Sequence, residues 1–357
     1  LIIHHPCDTA RLHKNAYVTV GANFSTSYCK SEEKPSMTVR AFVTYCTKKT
    51  SKSTPGTVKI HPIPVEFNGT LINVKVVPQY PEKPKYIVVQ REFNELFACK
   101  YLGDGQFGES KILSLGHKPL ASGGAGISKK THVWRKHILF VEESHYIYIC
   151  SLYEEEGKDN FSCKKFLPQS TVEEISIVKD TIYILTSNQV MKGSLNFAYD
   201  KFKNKEDYLQ DSAAAEEVLE KFEKCKLQST RDPFIVTATQ KDVFVADTNS
   251  IFRISPRGAF DKVTGTYKYS GVSSTTMNYL TPCYFNRRRL VMAGFTNHTV
   301  ALLGVLDSGA LSVIVKDYNI MSSATGRMFH MAYIEPLDNY LCIGENNFCH
   351  LIKLKLT

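Results

Sequence analysis

Two short basic segments are the residues of this chain best suited to bind a charged partner. Arg287, Arg288 and Arg289 follow one another directly before a β-rich run. A guanidinium group can donate two parallel hydrogen bonds to a carboxylate or a sulfate, so three of them in a tight turn predict a contact point for such groups. Trp134 and Arg135 form the second segment, and both residue types are frequent anchors of protein interfaces. The alternatives are a solvated arginine turn and a tryptophan that packs inside the fold.

The ten cysteines predict disulfide bonds rather than metal ligands. Two cysteines opposite each other on antiparallel strands can be bridged without distorting the backbone. Three pairs bracket predicted turns in this way: Cys29–Cys46, Cys150–Cys163 and Cys342–Cys349. We expect the other four to be oxidised as well, and the spacing leaves their pairing open: Cys7, Cys99, Cys225 and Cys283. No cysteine or histidine cluster has the spacing of a zinc site, so neither a metal nor another cofactor is predicted.

Four glycosylation sequons and the even number of cysteines predict a secreted or extracellular protein. The sequons lie at or beside predicted turns, where a glycan could project into water: Asn23, Asn68, Asn160 and Asn297. Disulfides persist mainly in oxidising compartments. No stretch approaches the roughly 20 apolar residues of a transmembrane helix, and no basic and apolar leader opens the sequence. We therefore expect a mature ectodomain with no transmembrane segment.

Neither the charge nor any motif predicts nucleic-acid binding or catalysis. The net charge of +9 comes from scattered lysines and arginines without a DNA- or RNA-binding module, which favours at most a modest affinity for acidic surfaces or sulfated glycans. Gly123–Thr131 contains a glycine-rich stretch, but it lacks a glycine before the lysine and precedes a strand, unlike a phosphate-binding loop. Serine-hydrolase and zinc-protease motifs are also missing. Three isolated residues at strand ends are expected to form turns or hydrogen bonds: Asp247, Asp307 and His330.

The elements that must position these residues are recurrent pairs of β-rich runs. Each pair has a first run, a few polar or glycine residues, and a second run. The six pairs are Tyr86–Val89 with Leu96–Tyr101, Ile138–Val141 with Tyr146–Leu152, Ile182–Leu185 with Val190–Leu195, Val243–Ala246 with Ile251–Ile254, Leu290–Gly294 with Val300–Leu306, and Tyr340–Ile343 with Phe348–Leu354. Their period of roughly 44 to 61 residues, with strands alone, predicts an all-β β-propeller with one sheet, or blade, per repeat.

The repeat predicts a seven-bladed propeller, with a six-bladed one as the alternative. Val39 continues the repeat backwards from Tyr86 and supplies the seventh pair. Because the repeats bury their faces only against one another, we expect a single propeller domain over residues 1–357. The last pair lacks a fourth strand. We expect Tyr17–Val20 to dock there as its outer strand and so close the ring.

Residues 203–226 interrupt the repeat and predict a helical insertion, with one helix near 205–225. This segment is rich in Ala, Glu, Lys and Leu, which suits a helix energetically. Its apolar residues fall on one side at helical spacing: Leu209, Ala215, Leu219 and Phe222. We expect the helix to cover the side of the propeller, and a partner-binding element is the alternative.

The repeat and the cysteine content resemble those of secreted, disulfide-stapled β-propellers across nearly the whole chain. Semaphorin-type propellers are similar in layout, since they are extracellular, seven-bladed, disulfide-bonded and carry a helical insertion, although their cysteine-framed motifs are not found here. Cysteine-rich propellers of parasite invasion complexes are similar in having disulfides within individual blades. The expected function is that of a non-enzymatic binding protein that engages an extracellular or cell-surface protein through its loops or rim. The alternatives are a hydrolase with an axial active site and a binder of sulfated glycans.

Overall fold

The structure is a computed structural model, and it describes most but not all of the chain. The described residues are 2–13, 16–25, 39–46, 58–62, 71–79, 81–91, 96–103, 106–113, 121–122, 127–128, 131–142, 145–156, 158–167, 171–203, 212–229, 231–270, 275–285, 288–295, 299–319, 328–334, 340–345 and 348–353.

Consecutive strands lie side by side in sheets, which we name in chain order. Sheet A contains β1 (Ile2–His13), β2 (Ala16–Ser25), β3 (Val39–Cys46) and β4 (Val58–Pro62); sheet B contains β5 (Leu71–Val77), β6 (Tyr86–Arg91), β7 (Leu96–Gly103) and β8 (Gln106–Leu113). A two-stranded ladder follows, made of β9 (Ala121–Ser122) and β10 (Ile127–Ser128). Sheet C contains β11 (His132–Trp134), β12 (His137–Val141), β13 (Ile147–Glu155) and β14 (Lys158–Lys165).

The remaining sheets follow the same meander. Sheet D contains β15 (Glu174–Val178), β16 (Thr181–Leu185), β17 (Gln189–Ser194) and β18 (Glu223–Lys226), with α1 (Leu195–Phe202) and α2 (Ser212–Glu220) between its last two strands. Sheet E contains β19 (Ile235–Ala238), β20 (Val243–Ala246), β21 (Ser250–Ile254) and β22 (Val263–Lys268). Sheet F contains β23 (Met277–Phe285), β24 (Arg288–Phe295), β25 (Thr299–Val305) and β26 (Leu311–Asn319); sheet G contains β27 (Met328–Ile334), β28 (Tyr340–Glu345) and β29 (Phe348–Lys353).

All six strand pairs predicted from the repeat are confirmed as neighbouring strands of one sheet. They are β6–β7, β12–β13, β16–β17, β20–β21, β24–β25 and β28–β29. The chain divides into two compact units: Leu1–Gly116, Arg135–His137 and Phe329–Thr357 form the first, and His117–Trp134 with Ile138–Met328 form the second. No helix in the described part of the chain has the length and apolar character needed to cross a membrane.

In the second unit, inner strands of sheets D and E place alternate side chains against two neighbouring sheets. One core cluster joins sheets C and D and includes Leu139 and Ile184. The opposite face of sheet D joins sheet E through a second cluster, which includes Tyr183 and Val245. The opposite face of sheet E joins sheet F through a third cluster, built around Phe244 and other apolar residues. Because strand side chains point alternately to the two faces, sheets D and E bury both faces between neighbouring sheets, and buried residues of α1 and α2 also belong to the first cluster.

The first unit contains sheets A and B, and its structure contradicts the expected ring closure. Tyr17–Val20 lies inside β2, where Tyr17 pairs with Arg11 of β1 and with Thr44 of β3. The strand is therefore an inner member of sheet A rather than an outer strand of the last pair. The expectation failed because β1, which precedes it, supplies a ladder partner much nearer in sequence.

The helical insertion is also different from the prediction. In place of one helix near 205–225, α1 begins at Leu195, α2 ends at Glu220, and residues 223–226 form the outer strand of sheet D. Ser194 caps α1, because its hydroxyl accepts a hydrogen bond from the Phe197 amide over 3.3 Å. Phe222 follows α2 and lies directly over Gly193, where the ring occupies the space of a β-carbon. After Phe222 the chain re-enters sheet D as β18, where Cys225 pairs with Val190 of β17.

Candidate functional site

The turns between the first and second strands of sheets D and E, and the start of β24 in sheet F, lie at one end of the second unit. The first strands of these sheets adjoin, β15 with β19 and β19 with β23. Strands β15 and β19 run in the same direction, because the Val236 amide donates to Glu174 over 2.9 Å and the Ala238 amide donates to Ser176 over 3.0 Å. These side chains also satisfy donors on the inner edge of β19. We call these two turns, together with Arg288 at the start of β24, the first-turn row.

A buried carboxylate joins sheets E and F at this end of the second unit. Asp242 lies at the start of β20, and its Oδ1 accepts hydrogen bonds from Arg253 Nε over 2.7 Å and from Arg289 Nη1 over 3.0 Å. A second guanidinium nitrogen of Arg253 lies 2.6 Å from the same oxygen. The side chains of Asp242, Arg253 and Arg289 are 4%, 6% and 24% exposed. These three residues form what we call the Asp242 cluster, and charge-assisted bonds of this kind are among the strongest in proteins.

The Asp242 cluster also fixes the outer turn of sheet F. Arg253 Nη1 donates to the hydroxyl of Thr264 over 2.6 Å and to the carbonyl of Gly309 over 3.2 Å. Gly309 has φ +90°, and a β-carbon there would lie 2.5 Å from the same guanidinium nitrogen. Only glycine combines this backbone conformation with so close an approach. Sheets E and F are therefore joined at this end through β24 and through the outer turn of sheet F.

The structure separates the three arginines that the sequence grouped together. Arg289 is held by the Asp242 carboxylate, so it stabilises the contact between two sheets rather than facing solvent alone. Arg288 is exposed at the beginning of β24. Arg287 lies outside the described residues. Asp242 and Arg253 could not be identified from the sequence, because neither belongs to a local motif.

Trp134 packs inside the second unit, as the alternative interpretation of the sequence predicted. Its side chain is 2% exposed, and its Nε1 donates to the Asp180 carboxylate over 2.8 Å. The ring meets Tyr199 of α1 edge to face, with the ring centroids 5.3 Å apart. Trp134 thus links sheet C to the first turn of sheet D and to α1. Arg135 follows it in the turn between β11 and β12 and is exposed, with φ 53°.

The first-turn row carries exposed basic residues that are separate in sequence. They are Lys179 in sheet D, Lys241 in sheet E and Arg288 in sheet F. Lys179 has φ 55°, a conformation that residues other than glycine, asparagine and aspartate rarely adopt. Sequence reasoning missed Lys179 and Lys241, although each lies two or three residues before the first predicted run of a strand pair.

At the opposite end of sheet E, Asp247 forms a buried turn, as its position at a strand end predicted. Its Oδ1 accepts hydrogen bonds from the amides of Asn249 over 2.8 Å and Ser250 over 2.6 Å. Its Oδ2 accepts a hydrogen bond from the Ser229 hydroxyl over 2.5 Å. The carboxylate thus replaces backbone partners that the turn lacks. Within the described ranges, no group of three or more His, Cys, Asp or Glu side chains is arranged to hold a metal ion.

The cysteines are partly bonded and partly free. Cys150 lies directly opposite Cys163 in the β13–β14 ladder, and the two form the predicted disulfide. In the last pair, Cys342 lies opposite Leu351 and Cys349 lies opposite Gly344. The two cysteines are therefore two positions out of register, and the prediction that they lie directly opposite each other is wrong. The side chains of this pair, and of Cys7 and Cys46, lie outside the described residues, as does the whole of Cys29. Those bonds therefore stay predictions.

The expectation that all ten cysteines are oxidised is wrong. Cys99, Cys225 and Cys283 are free and buried, and each belongs to a different sheet. Burial raises the pKa of the thiols of Cys99 and Cys283 to about 12. Burial, and secondarily the charge of Asp261, raises the pKa of Cys225 to about 11. These thiols are neutral near pH 7 and behave as small apolar core residues.

The two described sequon asparagines each lie two residues inside the end of a strand. Asn23 is within β2, where it pairs with His4, and Asn160 is within β14, where it pairs with Tyr153. Both asparagines lie near the end of a strand, and their glycosylation stays a prediction. Asn68 and Asn297 lie outside the described residues.

Comparison with known proteins gives a likeness of fold without a family. No family model matches the sequence, and no curated protein sequence does. Among solved structures, Sqt1 of Chaetomium thermophilum bound to the N-terminus of the ribosomal protein L10 is similar, with 10% identity, a TM-score of 0.52, and coverage of 96% of this chain and 82% of that one. The Cps50 (Swd1) β-propeller domain of Myceliophteria thermophila has 9% identity, a TM-score of 0.52, and coverage of 99% and 100%.

These comparisons correct the predicted location. The prediction of a secreted or extracellular protein rested on fully paired cysteines and on sequons in turns. This prediction is wrong, because the similar structures are Sqt1 bound to the N-terminus of a ribosomal protein and the Swd1 propeller domain. The chain is an all-β protein of four-stranded antiparallel sheets whose structural neighbours are WD40-like β-propellers.

Proposed function

We propose that this chain is a non-enzymatic, protein-binding β-propeller of seven blades that acts in the cytoplasm or the nucleus. Sheets A to G would be the seven blades, each with the meander order that a propeller requires. The similar structure of Sqt1 is bound to the N-terminus of a ribosomal protein, which supports a protein segment as the kind of partner.

The observation that carries this proposal is the rigid connection between neighbouring turns of the second unit. The Asp242 cluster joins sheets E and F, and the Trp134–Asp180 hydrogen bond joins sheets C and D. Turns that are fixed relative to one another lose little conformational entropy when a partner binds, so such a surface is suited to protein recognition.

The test is isolation of the full chain from its own cells under reducing conditions, followed by reconstitution. We expect one protein to copurify at a fixed stoichiometry and to form the same complex when both purified proteins are mixed, as measured by light scattering and calorimetry. A chain that purifies alone, binds no protein on mixing and turns over a small molecule would contradict the proposal.

A further inference from the structure

We propose that the first-turn row binds an extended acidic segment of a protein partner. This inference rests on the proposed function and names the chemistry of the partner at one surface. Lys179, Lys241 and Arg288 present three exposed positive side chains from three neighbouring sheets. Because the three residues follow adjoining first strands, their charges act on the same part of a bound chain.

The acidic side chains of the same turns do not cancel the positive charge of the row. Asp242 is buried between Arg253 and Arg289, so two guanidinium groups face one carboxylate. Asp180 is exposed and accepts the hydrogen bond of Trp134. Further exposed acids at this end lie on the outer turns of sheets E and F, at Asp261 and Asp307. The positive side chains thus lie along the inner turns.

The spacing of the sheets predicts the pattern of acids in the bound segment. Packed sheets lie about 10 Å apart, and an extended chain rises about 3.3 Å per residue. One acidic side chain at about every third residue would therefore meet one position of the row after another. Three positions require a segment of roughly seven residues.

The row favours a protein segment over single-stranded nucleic acid. Nucleic-acid channels combine positive charge with aromatic side chains on which bases stack. Within the described part of the first-turn row, no aromatic side chain is exposed, and the nearby Trp134 is buried. Carboxylates need only the charge and the hydrogen bonds that lysine and arginine supply.

The test compares two triple variants of the full chain that have the same net charge. The row variant is Lys179→Glu, Lys241→Glu and Arg288→Glu. The control is Lys224→Glu, Lys226→Glu and Lys268→Glu, which changes exposed lysines on the outer strands of sheets D and E. The fluorescence of Trp134 checks that both variants fold, because this is the single tryptophan of the chain. Glutamine substitutions at the row positions form a milder second set.

The probe is a fluorescent peptide with glutamate at every third residue, and binding is measured by anisotropy. Two competitors are a peptide with the same glutamates in one block and a single-stranded RNA. We expect the row variant to weaken binding by about tenfold or more, the glutamine set to weaken it less, and the control to stay within about twofold of the unmodified chain. Added salt should weaken binding to the unmodified chain.

Several results would overturn the inference. They are equal loss of binding in the row variant and the control, unchanged binding in the row variant, and stronger row-dependent binding of RNA than of the spaced peptide. Its failure is distinct from failure of the proposed function. A partner complex that forms equally well with the row variant would leave the proposed function standing and exclude this surface. If no protein partner assembles with the unmodified chain, the proposed function itself fails.

Discussion

Replacement of Asp242 by asparagine tests whether the Asp242 cluster holds sheets E and F together. The change keeps the shape of the side chain and removes its charge. Arg253 would then be a nearly buried cation without a counterion, since its side chain is 6% exposed. Removing one partner of a buried ion pair costs about 3–5 kcal/mol of the free energy of unfolding. Arg289 is 24% exposed and makes one of the contacts, so Arg289→Ala should cost only about 1 kcal/mol.

The sign of the Arg289 effect should depend on the background. In the unmodified chain, removal of Arg289 deletes an attraction to the carboxylate. In the Asp242→Asn variant, the same removal relieves repulsion between two guanidinium groups that no carboxylate separates. We therefore expect Arg289→Ala to destabilise the unmodified chain and to be neutral or stabilising in Asp242→Asn. A double-mutant cycle isolates this coupling between neighbouring residues.

Hydrogen exchange of the backbone amides in β20 and β24 is the appropriate assay, because it reports the free energy of opening in these two strands. Asp307→Asn is the matched control, since it removes an exposed carboxylate from an outer turn of sheet F. The control should leave the protection of both strands unchanged. A cost below about 1 kcal/mol for Asp242→Asn, or an equal Arg289→Ala cost in both backgrounds, would refute the role assigned to the cluster.

Three further predictions concern packing, a hydrogen bond and a thiol. Gly309→Ala should destabilise by about 2–4 kcal/mol in urea unfolding, because it adds both backbone strain and a clash with Arg253; Gly258→Ala, at φ +76° in open space, should cost only the strain, and equal losses would contradict this. Trp134→Phe should cost about 1.5 kcal/mol by losing the bond to Asp180, and an unchanged urea midpoint measured by circular dichroism would exclude that contribution. Stability should fall as pH rises from about 9 towards 12, because the unfolded thiol of Cys283 ionises while the folded one, with its pKa raised to about 12, stays protonated. In Cys283→Ala, the free energy of unfolding from urea titrations should fall less steeply across this range, by about 1.4 kcal/mol per pH unit, and an identical slope would refute the assignment.

The strand pairs were predictable because both members lie close together in sequence. In the pair Val243–Ala246 and Ile251–Ile254, two apolar runs are separated only by a short turn, and the structure pairs them directly. The contacts between sheets were not predictable in the same way. Arg289 lies 47 positions after Asp242, and Asp180 lies 46 positions after Trp134. Nothing in the local pattern of a single sequence identifies such partners.

The helical segment shows how packing overrides local preference. The composition near residues 205–225 favours one long helix, and α2 does form inside that range. However, residues 223–226 gain more as an outer strand, where they complete the ladder of β17 and bury Cys225. The aromatic-rich α1 was missed because its sequence has a modest helix propensity. Its stability comes from the burial of Leu195, Ala198 and Phe202 instead.

The Asp242 cluster connects the stability of the second unit with the charge of its surface. Two guanidinium groups around one carboxylate leave one net positive charge, and burial of the carboxylate keeps water from screening it as it would in solution. Lys241 precedes Asp242 and Arg288 precedes Arg289, so the exposed charges of the row are attached to the residues that fix the geometry. The positions of these two charges therefore depend on the same contacts that hold sheets E and F together. The affinity of a partner that binds the row would therefore depend on the spacing of the sheets as well as on the number of charges in the row.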